Sequence, residues 1–579
     1  MAAIKNFTNP FEIADKDRLY SLASGAVVSL DVETDLLQAE SLGKKRKEEF
    51  IKNRFVNGSP KDRFFDQNKK LKLKTMEACN KTVKLTTSDG RLIQYKEQSD
   101  LAFMLLIKSQ LLDEPLDLDE LVCYSLFPVP PSLGTSDGFL AKTSKAKMAN
   151  FILKDYTDPV TYPDNALHID DGNATVHMLR DVPATFGEII MKIFDQMVAK
   201  KNFIFSTDSY HPDSIKAQER IRRGCSQKYI IHGPLTRKPT DFKLFLQNDS
   251  NKQQFFQLML EVAKTNDASD RIAKCGTAII IVDGKAYQLK ISAEGGEVEC
   301  QEIYELRSNQ EETDTRVVLY LKYAISLGYK SAVVRTPDSD IFFILLFHAN
   351  SINLIIYLDT GTGKNRKLIN VSEIAKDKGQ EYCSTMLGLY DFSGEDAISA
   401  FKGKGKVGPL KKLTKNPKYI KAFQRLGDDW TVNDTVYKDL EAFTCLMYGY
   451  PREKSVNVVR CKMLKKMVGV NEKLTLNSKV DLSKLPPCAD NLLPHVQRAN
   501  YRTATFKRAD QPIFWKPKPF EDNQGWIKEG DTIEPCWSCA DILPPSLIDL
   551  VEDTVAETLD ADNEEVDLEL EDDDTCFEE

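Results

Sequence analysis

The sequence predicts an α/β protein with a mostly parallel central sheet flanked by helices. Three observations predict it. From about residue 161 onward, short apolar runs alternate with helix-like stretches, the pattern of strand–helix–strand units. Runs such as "IFFILLF" are too apolar for a surface and read as core. The runs also end in acidic turns, at the carboxyl ends of strands, where α/β folds gather their sites.

In chain order, residues 1–160 read as a helix-rich basic region containing "LGKKRKEEFIKNRF" and "NKKLKLKT". Within it, Lys44 to Lys47 ("KKRK") resemble a short nuclear import signal. Residues 127–135, "FPVPPSLGT", read as a Pro-rich linker. In the core, 161–430, "NALHIDDGNATVHML" reads as strand, acidic turn and helix. "FIFSTDSYHPDSIKAQERIRRG" reads as strand, acidic turn and basic helix. "EETDTRVVLYLKYAISLGYKSAVVRTPDSD" reads as acidic helix start, helix, strand and acidic end. Helices around another acidic turn follow, through "SGEDAISAF". Residues 431–551 read as helical and then irregular, and 552–579 as an acidic disordered tail.

The balance of 42% hydrophobic and 28% charged residues is that of a globular protein rather than a disordered one. No apolar run is long enough to span a bilayer, so no membrane partner is expected. The first residues show no secretory h-region. The twelve cysteines lack framework spacing and read as reduced thiols of an intracellular protein. Cys536 and Cys539 form a lone CxxC, a weak zinc signal.

The net charge of −9 is unevenly spread. The last 28 residues hold 15 acids and no Lys or Arg; 87 acids less those 15 leaves 72 against 78 bases, a net +6 for the rest. A mildly basic body suits nucleic acid, and the tail suits a basic protein partner or competes for the body's basic surface.

The acids at the ends of the apolar runs are the candidate site. Asp171 follows "ALHI", with Asp170 beside it as the exchangeable choice. Asp208 follows "FIF", and Asp338 and Asp340 follow "SAVV". Glu312 and Asp314 open a helix, where the dipole favours anions. Asp396 lies in "SGEDAISAF". Paired carboxylates entering a core need a positive partner. With almost no His or Cys nearby, the set suits a hard cation with oxygen ligands, Mg²⁺ or Mn²⁺. Two such ions ~4 Å apart would suit phosphodiester cleavage.

In order, Asp171, Asp208, "EETD", "TPDSD" and "SGEDAISAFKGKGK" resemble the acidic motifs of the flap endonuclease/XPG-type branch of PIN-like nucleases. The resemblance covers about 165–425. It implies a PIN-like core, a metal-dependent structure-selective nuclease, and the acids above as metal ligands and catalytic groups. Asp314 stands where that family has a second Glu. The resemblance further implies a helix-hairpin-helix over about 394–415. Its Gly403 and Gly405 would offer N–H groups to a duplex phosphate, with Lys402, Lys404, Lys406, Lys411 and Lys412 adding phosphate contacts. It also implies that Lys216, Arg220, Arg222 and Arg223 form a basic helix near the scissile phosphate. DNA with duplex character is the expected partner. Through "NPFEIADKDRLYSLASGA", "SIKAQERIRRG", "EETDTRVVLYLKYA" and "LPPCADNLLPHVQRANYRTATF", nearly the full chain also resembles a set of uncharacterised animal proteins associated with mobile elements. The alternative is therefore a catalytically inactive nucleic-acid-binding or scaffold protein on the same fold.

Deleting 552–579 is expected to tighten nucleic-acid binding at low salt, with the gain fading as screening shortens the Debye length below ~8 Å. Titrations of full-length and truncated protein at two salt concentrations check this; equal binding at low salt removes the competing role of the tail.

Overall fold

The computed structural model describes residues 18–20, 27–28, 30–52, 118–135, 138–156, 160–210, 214–215, 226–292, 296–468, 481–530 and 532–545. The basic run at 69–74, the basic residues Lys216, Arg220, Arg222 and Arg223, and the acidic tail lie outside the described residues.

A helix, α1 (Ala146–Ile152), precedes the first strand, β1 (Leu167–Asp171). Next come α2 (Gly172–His177), α3 (Phe186–Val198), β2 (Asn202–Ser206) and α4 (Asp249–Ala263). The sheet continues with β3 (Thr277–Val282), β4 (Lys285–Ile291) and β5 (Val298–Glu302). The chain then forms α5 (Thr313–Ser326), β6 (Ser331–Arg335), α6 (Ser339–His348), β7 (Ile355–Thr360) and β8 (Lys367–Asn370). Further helices include α7 (Gln380–Phe392), α8 (Val407–Lys415), α9 (Asp434–Met447) and α10 (Ala489–Lys507). A small hairpin closes the described chain, β9 (Trp526–Glu529) with β10 (Thr532–Pro535).

The main sheet has the order β5-β4-β3-β2-β1-β6-β7-β8. Its centre, β3-β2-β1-β6-β7, is parallel, and β4, β5 and β8 join antiparallel at the edges. The expected mostly parallel sheet flanked by helices is therefore present. Alternation along the strands divides two cores. Leu167, Ile169, Ile204, Ile279 and Ile281 face one, with α5, α6 and α7. Phe203, Phe205, Ala278, Ile280 and Val282 face the other, with α3 and α4. The chain leaves β1 in one direction toward β2 and β3, and later returns to β1's other side as β6. That reversal makes the carboxyl ends of β1 and β6 a topological switch point, where open α/β sheets bind ligands.

Two expectations about the segments around the sheet need correcting. Residues 127–135 are not a solvated linker: Phe127, Val129 and Leu133 are buried, and the Lys402 N–H donates to the Ser132 carbonyl. The prolines stiffen a segment that the core still covers. Nor is there a helix-hairpin-helix over 394–415. Residues 393–406 contain no helix, and α8 alone follows the turn. Gly403 and Gly405 do adopt positive φ, +76° and +60°, in that turn.

The helices after the core pack on it around His495 of α10. Its Nε2–H donates to the Phe392 carbonyl at 3.0 Å, and Nδ1 has no partner. Burial, and then Arg498, push the imidazole down to about 3. The folded value lies below the ordinary 6.5, so the stability His495 contributes is present above pH 6.5 and is lost as pH falls toward 3. His495→Gln, which keeps a donor for Phe392, should remove about one proton of uptake on unfolding near pH 5. Urea titrations across pH 4–7 measure this, and an unchanged pH slope would contradict it.

Candidate metal centre

The acids of the site are held by helix N-termini at the switch point. Asp171 caps α2, its Oδ1 accepting from the Ala174 N–H at 3.0 Å. Asp338 caps α6 in the same way, accepting from the Asp340 N–H at 3.0 Å. Between them, the buried Thr336 hydroxyl donates to Asp171 at 3.3 Å and accepts from the Asp338 N–H at 3.1 Å. The ends of β1 and β6 are thus tied by one side chain.

At the start of α5 the cap comes from a distance. Glu312 occupies the N-cap position but makes no capping bond. Instead Asp208, beyond the end of β2, accepts from the Thr313 N–H at 2.8 Å and from the Asn173 amide at 2.7 Å. Glu312 turns toward Arg502 of α10, at 3.1 Å. Its neighbour Asp314 is buried in the first turn of α5.

These placements bring Asp314, Asp338 and Asp340 together, with one carboxylate oxygen from each lying within 4.8 Å of the others. Asp340 is 2% exposed. Burial, and then the Asp338 carboxylate, push its carboxyl up to about 7, against the pull of Lys145. The Tyr390 hydroxyl of α7 donates to it. Lys145, just before α1, lies 3.0 Å from Asp340, 2.8 Å from Asp396 and 3.3 Å from Asp338. Burial opposes its charge, but those three carboxylates hold its ammonium above the ordinary lysine range. Asp396 thus joins the group through Lys145.

Asp171 and Asp170 are now distinguished. Successive side chains on a strand point to opposite faces, and Asp170 meets Lys200 at 2.5 and 2.7 Å. Another strand-end acid, Asp359 of β7, is neutralised by Arg335 and Arg366.

Sequence reasoning missed Lys145, Tyr390, Arg502 and Glu395. Glu395 stands beside Asp396 in "SGED" and is 2% exposed. Its Oε1 lies 3.3 Å from Arg502 Nε, yet neither oxygen accepts a hydrogen bond. Adjacency to Asp396 was the signal that could have found it. The other three sit far along the chain from their partners and left no local signal.

The hairpin lysines need correction too. Lys406 is buried, donating to the Tyr390 carbonyl at 2.6 Å and to Ser393 at 3.1 Å. Burial pushes it down to about 7. It cannot meet a phosphate from there. Lys404 is half-buried and stacks on Tyr448, 3.8 Å from the ring centre, and Lys412 donates to the Leu446 carbonyl. Lys402 and Lys411 are exposed, and the turn at Gly403 and Gly405 is open around both α-carbons.

The donor set fits a hard cation. It is all carboxylate oxygen, it converges, and the orphaned oxygens of Glu395 lie in the same buried charge network. Among the described residues it is the one group of acids, His or Cys close enough to hold a metal ion; Cys536 and Cys539 are not in such a group. No described helix is long and apolar enough to cross a membrane. No protein-family model matches the chain, no curated protein matches its sequence, and no solved structure matches its fold.

Arg502 is 3% exposed and serves both Glu312 and Glu395. Arg502→Met leaves two buried carboxylates without their cation, and the expected loss is ~3–5 kcal/mol. Urea denaturation of the two proteins measures it; a loss under ~1 kcal/mol would mean that the pairs behave as exposed ones.

Proposed function

We propose that the chain is a metal-dependent nuclease with a PIN-like, flap endonuclease-type core. In this reading it hydrolyses phosphodiester bonds in nucleic acid, DNA with duplex character before other substrates, and works in the nucleus. The observation that supports it is the convergence of Asp314, Asp338 and Asp340 within 4.8 Å at the switch point of a parallel sheet. Asp171, Asp208 and Asp396 are connected to that point through Thr336, Thr313 and Lys145. The same acids, in the same order, carry the resemblance to flap endonucleases.

Asp314, Asp338 and Asp340 would hold Mg²⁺ or Mn²⁺, with Asp171, Asp208 and Asp396 available to a second ion. Bound there, the metal supplies an activated water and stabilises charge on the leaving oxygen. The chain's own groups prepare the site. Helix N-termini fix Asp171, Asp208 and Asp338, so little reorganisation is left for binding. Tyr390 orients one oxygen of Asp340. Lys145 balances the carboxylates and offers a cation for a phosphate oxygen.

A second reading rests on that same lysine. Lys145 offsets part of the cluster's charge without metal, as it would in a nucleic-acid-binding protein that does no chemistry. Titration with Mn²⁺ separates the two.

Asp338→Ala and Asp340→Ala are each expected to bring Mg²⁺-dependent cleavage of flapped, branched and single-stranded substrates to background. Their circular dichroism should match the parent's, because relief of the repulsion among the carboxylates offsets the lost cap bond of Asp338 and the lost Lys145 pair of Asp340. If the parent neither binds Mn²⁺ nor cleaves, the nuclease reading fails. If both variants still cleave, the chemistry lies elsewhere.

A further inference from the structure

The segment after α10, "QPIFWKPKPF" at 511–520, exposes an aromatic side chain and carries two lysines that share a cleft with Glu312. It has no helix or strand. Pro512, Pro517 and Pro519 fix φ and favour an extended chain. Phe514 and Pro517 are buried and anchor it. Ile513 and Trp515 are 70% and 71% exposed, a hydrophobic display that a folded chain does not need for its own core.

Trp515 has a built support. Its ring meets Trp430 edge-on, with centroids 6.3 Å apart. Trp430 in turn stacks on Phe514 at 6.2 Å and carries the Arg508 guanidinium 4.8 Å from its ring centre. Lys518 is exposed on the same segment. The Lys516 stem is exposed too, but its Nζ turns into the cleft, 4.9 Å from the buried Tyr501 ring centre, where burial pushes it down to about 8 and leaves it mostly charged at neutral pH.

Behind the segment is a cleft of about 220 Å³, lined among others by Ser214, Ile215, Glu312, Arg502, Lys516 and Lys518. Glu312 precedes Thr313, whose N–H holds Asp208. With Thr315 also in its lining, the cleft reaches the first turn of α5, which carries Asp314. Inside the cleft Glu312 is paired with Arg502 and Glu311 accepts from the Ser214 hydroxyl; with Lys516 and Lys518 added, the charged lining holds three cations against two carboxylates.

We propose that Trp515, Lys516 and Lys518 form a platform for an unpaired strand of nucleic acid running along this cleft to or from the carboxylates. A base stacks on Trp515 and backbone phosphates meet the two lysines. Only an unpaired strand offers the face of a base to a projecting ring; a duplex would offer phosphates alone. The proposal rests on the nuclease reading for its direction along the chain, but the surface chemistry stands on its own residues.

The test is fluorescence anisotropy with the full chain and labelled oligo(dT) and oligo(U), beside a hairpin duplex. Ca²⁺ replaces Mg²⁺ so that strands stay intact. Trp515→Ala should weaken single-strand binding about tenfold and leave the duplex nearly unaffected. Combining Lys516→Ala with Lys518→Ala should lower the single-strand salt slope by ~0.7 per lost contact. The oligo(dT) and oligo(U) arms say whether the strand is DNA or RNA. The proposal is overturned if single strands do not bind. Equal single-strand affinity in parent and Trp515→Ala, or an equal loss on duplex, overturns it as well, and the surface then faces a protein partner. A parent that cleaves but ignores Trp515→Ala leaves the nuclease reading standing without this platform. A parent that grips single strands through Trp515 but neither binds Mn²⁺ nor cleaves leaves the platform standing without the nuclease.

Discussion

The pairing of β6 with β1 is the constraint on which the site depends. Leu167 to Asp170 lie in register with Ala332 to Arg335, and this places the turn after β6 beside the turn after β1. Thr336 then links the two turns by accepting from one and donating to the other. Asp171 and Asp338 are 167 residues apart in the chain, yet they share a hydroxyl because a crossover returned to the side of β1 that β2 had left open.

Once the acids converge, charge balance decides the surroundings. Five buried carboxylates, on Glu312, Asp314, Asp340, Asp391 and Glu395, share the space with Arg502 and Lys406, and Lys145 reaches in from the side. Burial, and then Glu395, push Asp391 well above the usual carboxylate range, and the Thr503 hydroxyl donates to it at 2.6 Å. Asp359 shows the other solution to the same problem. At the end of β7 it takes two arginines and a tyrosine and is finished as an ion pair. The contrast separates a strand-end acid that is structural from a group left with orphaned oxygens such as those of Glu395.

The segments outside the sheet are not accessories to this arrangement. The chain before β1 supplies Lys145, and α10 supplies Arg502 and braces α7 through His495. A domain boundary drawn at residue 160 or 430 cuts through the electrostatics of the site, even though the strands and helices of the sheet begin and end near those points.

The sequence by itself determined β1, β2 and β6, the helices α2, α5 and α7, and the acids that follow those strands. Those features are local: apolar periodicity sets an element, and Asp ends a strand or caps a helix with its own neighbours. "SAVVRTPDSD" reads correctly as strand, turn and cap for that reason. Only the tertiary structure decided which acids meet. Asp170 and Asp171 are alike in composition, and the side of the strand each occupies separates a lysine pair from the switch point. Lys406 looked like a phosphate ligand in "KGKGK", but packing beneath Tyr390 buried it. Lys145, Arg502 and Tyr390 gave no sign at all, because an ion pair or hydrogen bond across 193, 190 or 50 residues depends on the path of the chain between its ends and leaves no pattern at either one.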